Sequence, residues 1–357
     1  MRYTAALDGI RGIAIVTVCL AHYGVPILQR GGFGVDVFFT LSGFLITSIL
    51  LGEYSRRGDI GFRNFYIRRL LRLFPALFCL LIVYGTLVTL FGKNLSRHFG
   101  DIALVFFYVA NWAGAAGLNR PGELGHTWSL SVEEQFYFLW PVILYAVVKR
   151  WGGKGLLAAS LTLTLLSMSE TFFMSTSAPW WRLYYGFDTR AFTLLFGCCL
   201  AIAFHFWNDR VVLPKSLEKI LPLLSFGGIA LFMLRRDAFT ADPGFFSGPI
   251  FIIPVLTCGL IYLAVKPGFN FSKSILSTKP LVYFGKRSYG LYLWHYWILN
   301  VVNPRNIIVL LTCAAASLVV TELSFRFIEM PFLSLKHRLA KDEAPAPAES
   351  LTEPVAA

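Results

Sequence analysis

The chain has 357 residues, of which 56% are hydrophobic and only 15% are charged, and it carries a formal net charge of +12. A soluble domain carries nearer one quarter charged residues, so this composition excludes an ordinary soluble enzyme. Many apolar runs reach the roughly 17–20 residues that a helix needs to cross a bilayer. We therefore expect an all-α polytopic membrane protein whose basic loops face lipid headgroups, with no nucleic-acid partner.

Eleven apolar segments are candidate membrane spans. They are 10–28, 34–51, 75–92, 101–118, 128–148, 155–174, 190–207, 220–234, 249–265, 281–299 and 307–325. Because Lys and Arg collect on the cytoplasmic side, loop charge favours a cytoplasmic N-terminus and about ten crossings, with 101–118 and 128–148 supplying one crossing between them. Segment 101–118 is then re-entrant or interfacial, where protein or water covers its backbone. The transmembrane domain is predicted over 1–335, and the Pro/Ala/Glu-rich segment 336–357 is predicted to be a disordered cytoplasmic tail.

The six cysteines all lie inside apolar runs, without the spacing of a metal site or of a disulfide framework. Such cysteines are typical of small hydrophobic core residues. No stretch resembles a P-loop or a zinc motif. The sequence therefore predicts neither a metal site nor a tightly bound cofactor.

The first span, "LDGIRGIAIVTVCLAHYG", carries Arg11 and His22. Eleven residues make three helical turns, so both side chains share one face, about 16 Å apart along the axis. Histidine is the side chain best suited to take and return a proton near neutral pH. The alternative is a helix-end arginine that reaches the interface together with a hydrogen-bonded buried histidine.

Charged groups also occur in the second span and in the loop that follows it. Asp36 lies near the outer end of "GGFGVDVFFTLSGFLI", where it is either a functional carboxylate or an interfacial helix cap. In "RNFYIRRLLRLFP", Arg68, Arg69 and Arg72 share one helical face. This pattern fits either a membrane-surface helix that faces lipid phosphates or an anion-binding fork for a phosphate-rich ligand.

The stretch "HTWSLSVEEQFYFLWP" places two carboxylates in an aromatic run. A charge in hydrocarbon costs on the order of 3 kcal/mol or more. In a helix that begins at Trp128, Ser129, Glu133 and Tyr137 share one face, whereas Glu134 lies on a more lipid-like face. Glu133 is therefore expected to face the bundle interior, either as a functional group or as half of a buried ion pair between two spans.

Two further stretches combine aromatic and polar residues. In "GKRSYGLYLWHYWIL", Ser288, Tyr292 and His295 fall on one helical face, and His295 is either functional or a hydrogen-bonded packing residue. The "WWRLYYGFDTR" loop, 180–190, is predicted outside. Its rings either stack on a sugar or form an interfacial aromatic belt.

Taken in order along the chain, these stretches resemble the acyltransferase-3 family of integral membrane O-acyltransferases. The resemblance implies transfer of an acyl group, often acetyl, from cytoplasmic acyl-CoA to a hydroxyl at the far face of the membrane, commonly on a sugar of a surface or exported glycan. It also carries the family's proposed catalytic histidine onto His22. The first-span arginine falls on Arg11, the Arg-x-x-Arg pair on Arg69 and Arg72, and the glutamate on Glu133.

These observations lead to one mechanistic hypothesis and two alternatives. His22 is expected to be a general base, oriented by Glu133 or Asp36, in a protein of the bacterial inner membrane with both termini cytoplasmic. Acyl-CoA is the expected co-substrate, its phosphates held by Arg11, Arg68, Arg69 and Arg72. Weaker candidates for substrate binding are Trp128, Ser129, Tyr137, Tyr292 and His295. The alternatives are a proton-coupled transporter, in which the histidine and the glutamate relay protons, and a purely structural membrane protein.

Overall fold

The structure is a computed structural model that describes residues 3–28, 31–118, 121–234, 243–266 and 270–335. Within these ranges the chain forms helices and turns and no β-strand. The predicted all-α class is therefore confirmed. The predicted tail, 336–357, lies outside the described residues.

The helices follow one another through short connections. The first eight are α1 (Ala5–His22), α2 (Gly34–Arg57), α3 (Phe62–Phe91), α4 (Leu95–Phe106), α5 (Ala110–Ala115), α6 (Trp128–Met174), α7 (Trp180–Tyr185) and α8 (Ala191–Trp207). The others are α9 (Lys215–Pro222), α10 (Gly228–Leu234), α11 (Ile252–Val265), α12 (Phe271–Leu276), α13 (Lys279–Lys286), α14 (Ser288–Val302) and α15 (Ile307–Ser324). A π-helical stretch, Phe325–Glu329, continues α15.

Five helical runs in the described chain are long and apolar enough to cross a membrane. They are Ala5–His22, Gly34–Arg57, Phe62–Phe91, Gly122–Met174 and Ile307–Leu335. The fourth run contains two predicted spans, and its backbone turns at Gly152, whose φ of 62° lies in the left-handed region that glycine adopts easily. Several membrane helices are therefore established, and the total of about ten crossings stays a prediction.

Two predicted elements differ from the structure. The first helix is Ala5–His22 rather than 10–28, so His22 is its last residue. The arginine-rich stretch is not a separate loop or surface helix, because it forms the first turns of α3, which continues through Pro75. Proline is tolerated inside membrane helices, where neighbouring groups can satisfy the carbonyl that it frees.

The segment 101–118 does not form one spanning helix. It contains the end of α4, a turn at Tyr108 with φ of 53°, and the short helix α5. A positive φ at a tyrosine interrupts the regular helix, because L side chains rarely adopt it. Protein covers part of this turn, since the Gln135 amide donates to the Tyr108 carbonyl oxygen over 2.8 Å.

The scaffold is held by close helix contacts. A Cβ atom on Gly43 of α2 would approach the Leu194 carbonyl oxygen of α8 to 1.9 Å, and one on Gly197 would approach the Thr40 carbonyl oxygen to 1.9 Å. Small residues thus let the two backbones touch, as is common between membrane helices. A continuous buried core joins these helices to α1, α3, α6 and α14, which carry the polar groups described next.

Candidate active site

Two histidines from opposite ends of the chain form a hydrogen-bonded pair. His22 ends α1, and its Nδ1 lies 2.9 Å from Nε2 of His295 on α14. The Nδ1 of His295 lies 2.7 Å from the Leu291 carbonyl oxygen, which can only accept. In the neutral pair, His295 Nδ1 therefore carries the proton and its Nε2 accepts from His22 Nδ1–H. This arrangement leaves the lone pair of His22 on Nε2, ready to accept a proton.

A third histidine, His126, lies beside this pair. Its ring centroid is 6.1 Å from that of His295 and 4.8 Å from that of Tyr296, which in turn lies 4.9 Å from His22. His126 is not among the predicted site residues, because it lies in a short 3-10 turn, Gly122–Thr127, before α6 and outside the helical pattern. The sequence signal for it is a histidine two residues before the helix that begins at Trp128.

A cavity with mainly aromatic walls opens onto His22 and His126, and we call it the aromatic cavity. It contains about 970 Å³ of space not filled by atoms. Its remaining walls are Gly114, Gly117, Gly122, Gly125, Trp128, Trp180, Trp181, Tyr184, Tyr185 and Tyr296. The predicted outer aromatic loop therefore contributes rings to a cavity that contains the histidines.

Local hydrogen bonds hold that loop in place. The Arg182 guanidinium pairs with the Asp188 carboxylate, one of its contacts being 2.8 Å long. The Thr189 hydroxyl donates to the Leu183 carbonyl oxygen over 2.9 Å. The rings of α7 are thus presented by a fixed turn.

A second cavity lies among α1, α2, α3, α6 and α14, and we call it the arginine cavity. It contains about 870 Å³ of space not filled by atoms. Three arginines line it, Arg11 from α1 and Arg69 and Arg72 from α3, as the sequence predicted for an anion-binding group. Its other walls are Val35, Phe38, Phe39, Leu41, Ser42, Leu45, Ile49, Leu73, Ser129, Leu130, Glu133, Tyr137, Ser288, Tyr289 and Tyr292.

Glu133 faces the bundle interior, as its helical position predicted. Its Oε1 accepts a hydrogen bond from the Ser42 hydroxyl over 2.7 Å, and it lines the arginine cavity. The Arg69 guanidinium lies 4.1 Å from the centroid of the Tyr137 ring. Glu133 therefore shares the cavity with the three arginines.

The two cavities meet at a hydrogen-bonded partition. Tyr292 and Ser129 line the arginine cavity, and their hydroxyl oxygens lie 2.6 Å apart. The Tyr292 hydroxyl donates to the His126 carbonyl oxygen over 2.5 Å, and His126 lines the aromatic cavity. Since a tyrosine hydroxyl has one proton, Ser129 donates to Tyr292 in this arrangement.

The expected partner of His22 has to be corrected. Neither Glu133 nor Asp36 is hydrogen-bonded to it, since Glu133 pairs with Ser42 and Asp36 pairs over 2.5 Å with Arg190, the residue directly before α8. The Asp36 and Arg190 side chains are 1% and 0% exposed. Burial of both charges is tolerable only because each supplies the other's counter-charge. His295 occupies the position beside the His22 imidazole that a carboxylate was expected to fill.

Arg68 is a second correction. Its guanidinium lies 3.2 Å from the Glu53 carboxylate and does not line the arginine cavity. Glu53 also accepts from the Gly61 backbone N–H over 3.0 Å. Arg68 therefore fastens the turn between α2 and α3, because its position on α3 directs it toward the end of α2.

No group of three or more His, Cys, Asp or Glu side chains in the described part of the chain is arranged to hold a metal ion. The site contains a hydrogen-bonded histidine pair beside the aromatic cavity and, across the partition, a cavity lined by three arginines.

Comparisons with known proteins identify the family of the chain. A family model described as an acyltransferase domain matches residues 4–324. The peptidoglycan O-acetyltransferase OatA of Listeria monocytogenes is 36% identical over 351 residues, which cover 92% of this chain and 56% of that protein. The O-acetyltransferase OatA of Staphylococcus aureus is 35% identical, over 92% of this chain and 57% of its own length. The chain thus spans little more than half the length of these relatives. No solved structure matches.

Proposed function

The chain belongs to the acyltransferase-3 family, and we propose that it transfers an acetyl group from cytoplasmic acetyl-CoA to a hydroxyl of a glycan outside the membrane. One relative is named for peptidoglycan, which makes a peptidoglycan sugar the first acceptor to test. The observation that carries the proposal is that the arginine cavity and the aromatic cavity meet at the partition of Ser129, Tyr292 and His126, beside the His22–His295 pair.

The arginine cavity suits the donor. Coenzyme A carries several phosphates, and the planar guanidinium group pairs with phosphate through two parallel hydrogen bonds. Arg69 and Arg72 lie in the first turns of α3, in the arginine-rich stretch that is expected on the cytoplasmic side. Arg11 lies three turns before His22 on α1, so the distance between them is comparable with the length of an extended pantetheine arm. A thioester held this way would reach the partition formed by Ser129 and Tyr292.

The aromatic cavity suits the acceptor. Ligand sites are usually lined by apolar and aromatic side chains with a few polar groups that fix orientation. Trp180, Trp181 and Tyr185 offer flat apolar faces to sugar rings, while His22 can meet a hydroxyl. The topology that accompanies this proposal has about ten crossings, both termini cytoplasmic and the aromatic cavity facing outward. We place the chain in a bacterial cytoplasmic membrane.

The transfer needs one base and no covalent enzyme intermediate. The acceptor hydroxyl gives its proton to His22 Nε2 while its oxygen attacks the thioester carbonyl carbon. The C–S bond then breaks, and the proton passes from His22 to the departing sulfur, so the products are an acetyl ester and free coenzyme A. His295 holds His22 in the productive tautomer and stabilises the imidazolium through the Nδ1–H hydrogen bond.

The transporter alternative is not favoured. The relatives with similar sequences over most of this chain are named as acetyltransferases. A proton relay would also leave the convergence of Arg11, Arg69 and Arg72 without a role.

The proposal can be tested in sealed inverted vesicles that contain the purified chain. Radiolabelled acetyl-CoA is supplied outside, on the cytoplasmic face, and a peptidoglycan disaccharide is trapped inside. We expect alkali-labile label, the signature of an O-acetyl ester, on the trapped disaccharide. His22→Ala should lower the turnover by roughly 10² to 10⁴, because it removes the base.

The matched control is His98→Ala. His98 lies on α4, and its Nδ1 lies 2.6 Å from the Tyr84 hydroxyl, away from both cavities. This variant should transfer acetyl at nearly the wild-type rate. Absence of ester label in the wild type, or label that His22→Ala leaves unchanged, would contradict the proposal.

A further inference from the structure

His126 is a buried histidine whose ring is left without a hydrogen bond. Its side chain is 3% exposed, and neither ring nitrogen has a hydrogen-bond partner within 3.5 Å among the described residues. The great majority of buried polar side-chain atoms are paired, so such a group requires an explanation. An imidazole that lines a cavity and has no such partner in the protein is suited to bind a ligand there.

The backbone around His126 is fixed, although the ring is not paired. The Thr127 hydroxyl donates to the Leu124 carbonyl oxygen over 2.8 Å, and the His126 carbonyl oxygen accepts from Tyr292 over 2.5 Å. The Tyr296 ring packs against both His126 and His22. The ring of His126 is therefore positioned in advance, which is the condition for stabilising charge without reorganisation.

His22 and His295 have no ring N–H left to donate to a ligand in the aromatic cavity. His22 Nδ1 and His295 Nε2 bond to each other, and His295 Nδ1 is taken by a carbonyl oxygen. His22 Nε2 carries a lone pair and is committed to the acceptor proton. Among the described residues that line the aromatic cavity there is no lysine and no arginine. Negative charge that develops beside His22 must then be met by neutral N–H or O–H donors.

We propose that His126 is a catalytic residue that donates an N–H hydrogen bond to the carbonyl oxygen of the acyl group in transfer. The inference rests on the proposed function and adds to it the group that binds the oxyanion. As the acceptor oxygen attacks, the carbonyl π electrons move to oxygen, and the His126 N–H stabilises that charge. When the C–S bond breaks, the carbonyl reforms, and His126 has neither gained nor lost a proton.

Two substitutions distinguish N–H donation by His126 from a role of its ring in packing. His126→Gln keeps an N–H donor but loses the ring, whereas His126→Phe keeps a ring against Tyr296 but has no donor. Turnover, the KM for acetyl-CoA and the KM for the disaccharide are measured with the full chain in vesicles. Loss of one oxyanion donor costs roughly 10² to 10³ in kcat. We expect His126→Phe to lose that factor with both KM values nearly unchanged, and His126→Gln to recover at least about tenfold of it.

The pH–rate profile supplies a second readout. Because His22 remains the base, turnover in both His126 variants should still fall on the acid side as it does in the wild type. Near-normal turnover in His126→Phe would overturn the inference, and so would equal losses in the Phe and Gln variants. Thermal unfolding in detergent is measured for each variant, and a loss of activity matched by a loss of folded protein would also overturn it. If the wild type forms no ester, the proposed function fails; if the wild type and His126→Phe are equally active, only the role of His126 fails.

Discussion

His22 Nδ1 and His295 Nε2 are 2.9 Å apart, although 273 residues separate them in the chain. His295 takes the place that a carboxylate has beside the histidine in many catalytic groups, because its Nε2 accepts a hydrogen bond from His22 Nδ1–H and fixes the tautomer of His22. Unlike a carboxylate it is neutral, so it introduces no additional charge into the membrane. The bond to the Leu291 carbonyl oxygen determines which His295 nitrogen is available.

Loss of the His295 acceptor should therefore act through His22. His295→Phe removes the acceptor, so His22 can carry its proton on Nε2 and lose its function as a base. We expect turnover to fall by roughly 10² to 10⁴ with little change in acetyl-CoA binding. His295→Gln, whose amide oxygen can accept from His22 Nδ1, should restore part of the rate. Unchanged turnover in His295→Phe, with the protein folded, would show that the pair has no catalytic role.

The arginine cavity gives a prediction about donor affinity. Arg69→Ala with Arg72→Ala should raise the KM for acetyl-CoA at least about tenfold, because a hydrogen bond to a charged group contributes about 1.5–3 kcal/mol. The KM for the acceptor should change little. Lysine at both positions should rescue the affinity only in part, since it gives charge without the planar fork.

Arg68→Ala is the matched control for that double variant. It removes a neighbouring arginine of α3 whose partner is Glu53 rather than the cavity. We expect lower thermal stability and an unchanged KM for acetyl-CoA. A KM that rises equally in the control and in the double variant would mean that the arginines act through folding or through lipid contacts.

The aromatic cavity gives a prediction about the acceptor. Trp181→Ala removes a cavity ring and should raise the KM for the disaccharide by up to about tenfold, from the energy of one aromatic contact. The KM for acetyl-CoA should be unchanged. Trp151→Ala is the control, because Trp151 is 64% exposed on α6 and lines neither cavity. Equal behaviour of the two variants would favour the interfacial aromatic belt for the 180–190 loop.

Helical periodicity predicted the parts of the site that lie on single helices. Glu133 faces inward because it shares a face with Ser129 and Tyr137, and this is what the structure has. The two α3 arginines that line the cavity are Arg69 and Arg72, three residues apart. Side chains three and four residues apart lie together in a regular helix, but the same rule also grouped Arg68 with Arg72, whereas Arg68 pairs with Glu53.

The partners of the charged groups could not be predicted in the same way. Asp36 pairs with Arg190 and His22 with His295, and both pairs depend on which helices pack together. No local spacing contains that information. The break at Tyr108 was also beyond the hydropathy pattern, because that residue lies inside an apolar run that is long enough for a span.

The two predicted spans within α6, which meet at the Gly152 turn, give a prediction about membrane topology. Cysteine at Lys154, just after the Gly152 turn, should resist an impermeant maleimide in intact cells and react in inverted vesicles, in a background without the six native cysteines. Cysteine at Arg305, between α14 and α15, is the control and should react in intact cells. Cysteine at Lys341, outside the described residues, should behave as at Lys154. Strong labelling at Lys154 in intact cells would contradict the arrangement of about ten crossings.

The buried pair of Asp36 and Arg190 is predicted to stabilise the fold rather than to take part in acyl transfer. Asp36→Asn leaves the Arg190 charge buried without its counter-charge, and removal of one partner of such a pair costs about 3–5 kcal/mol. The Arg190 guanidinium also lies 5.9 Å from the Trp128 ring centroid and 5.5 Å from that of Tyr184, both of which line the aromatic cavity. Because Arg190 loses its counter-charge, the amount of Asp36→Asn protein that is folded in detergent should decrease sharply.

Replacing both members of the pair distinguishes the two roles of Asp36. Asp36→Leu with Arg190→Met removes both buried charges and should be more stable than either single variant, since apolar replacement of a whole buried pair is often nearly neutral. Activity per folded molecule in the double variant should stay within about tenfold of the wild type, because neither residue contacts His22. A well-folded double variant with its turnover reduced by roughly 10² or more would instead return Asp36 to the catalytic group, as the carboxylate that acts on the His22 imidazole.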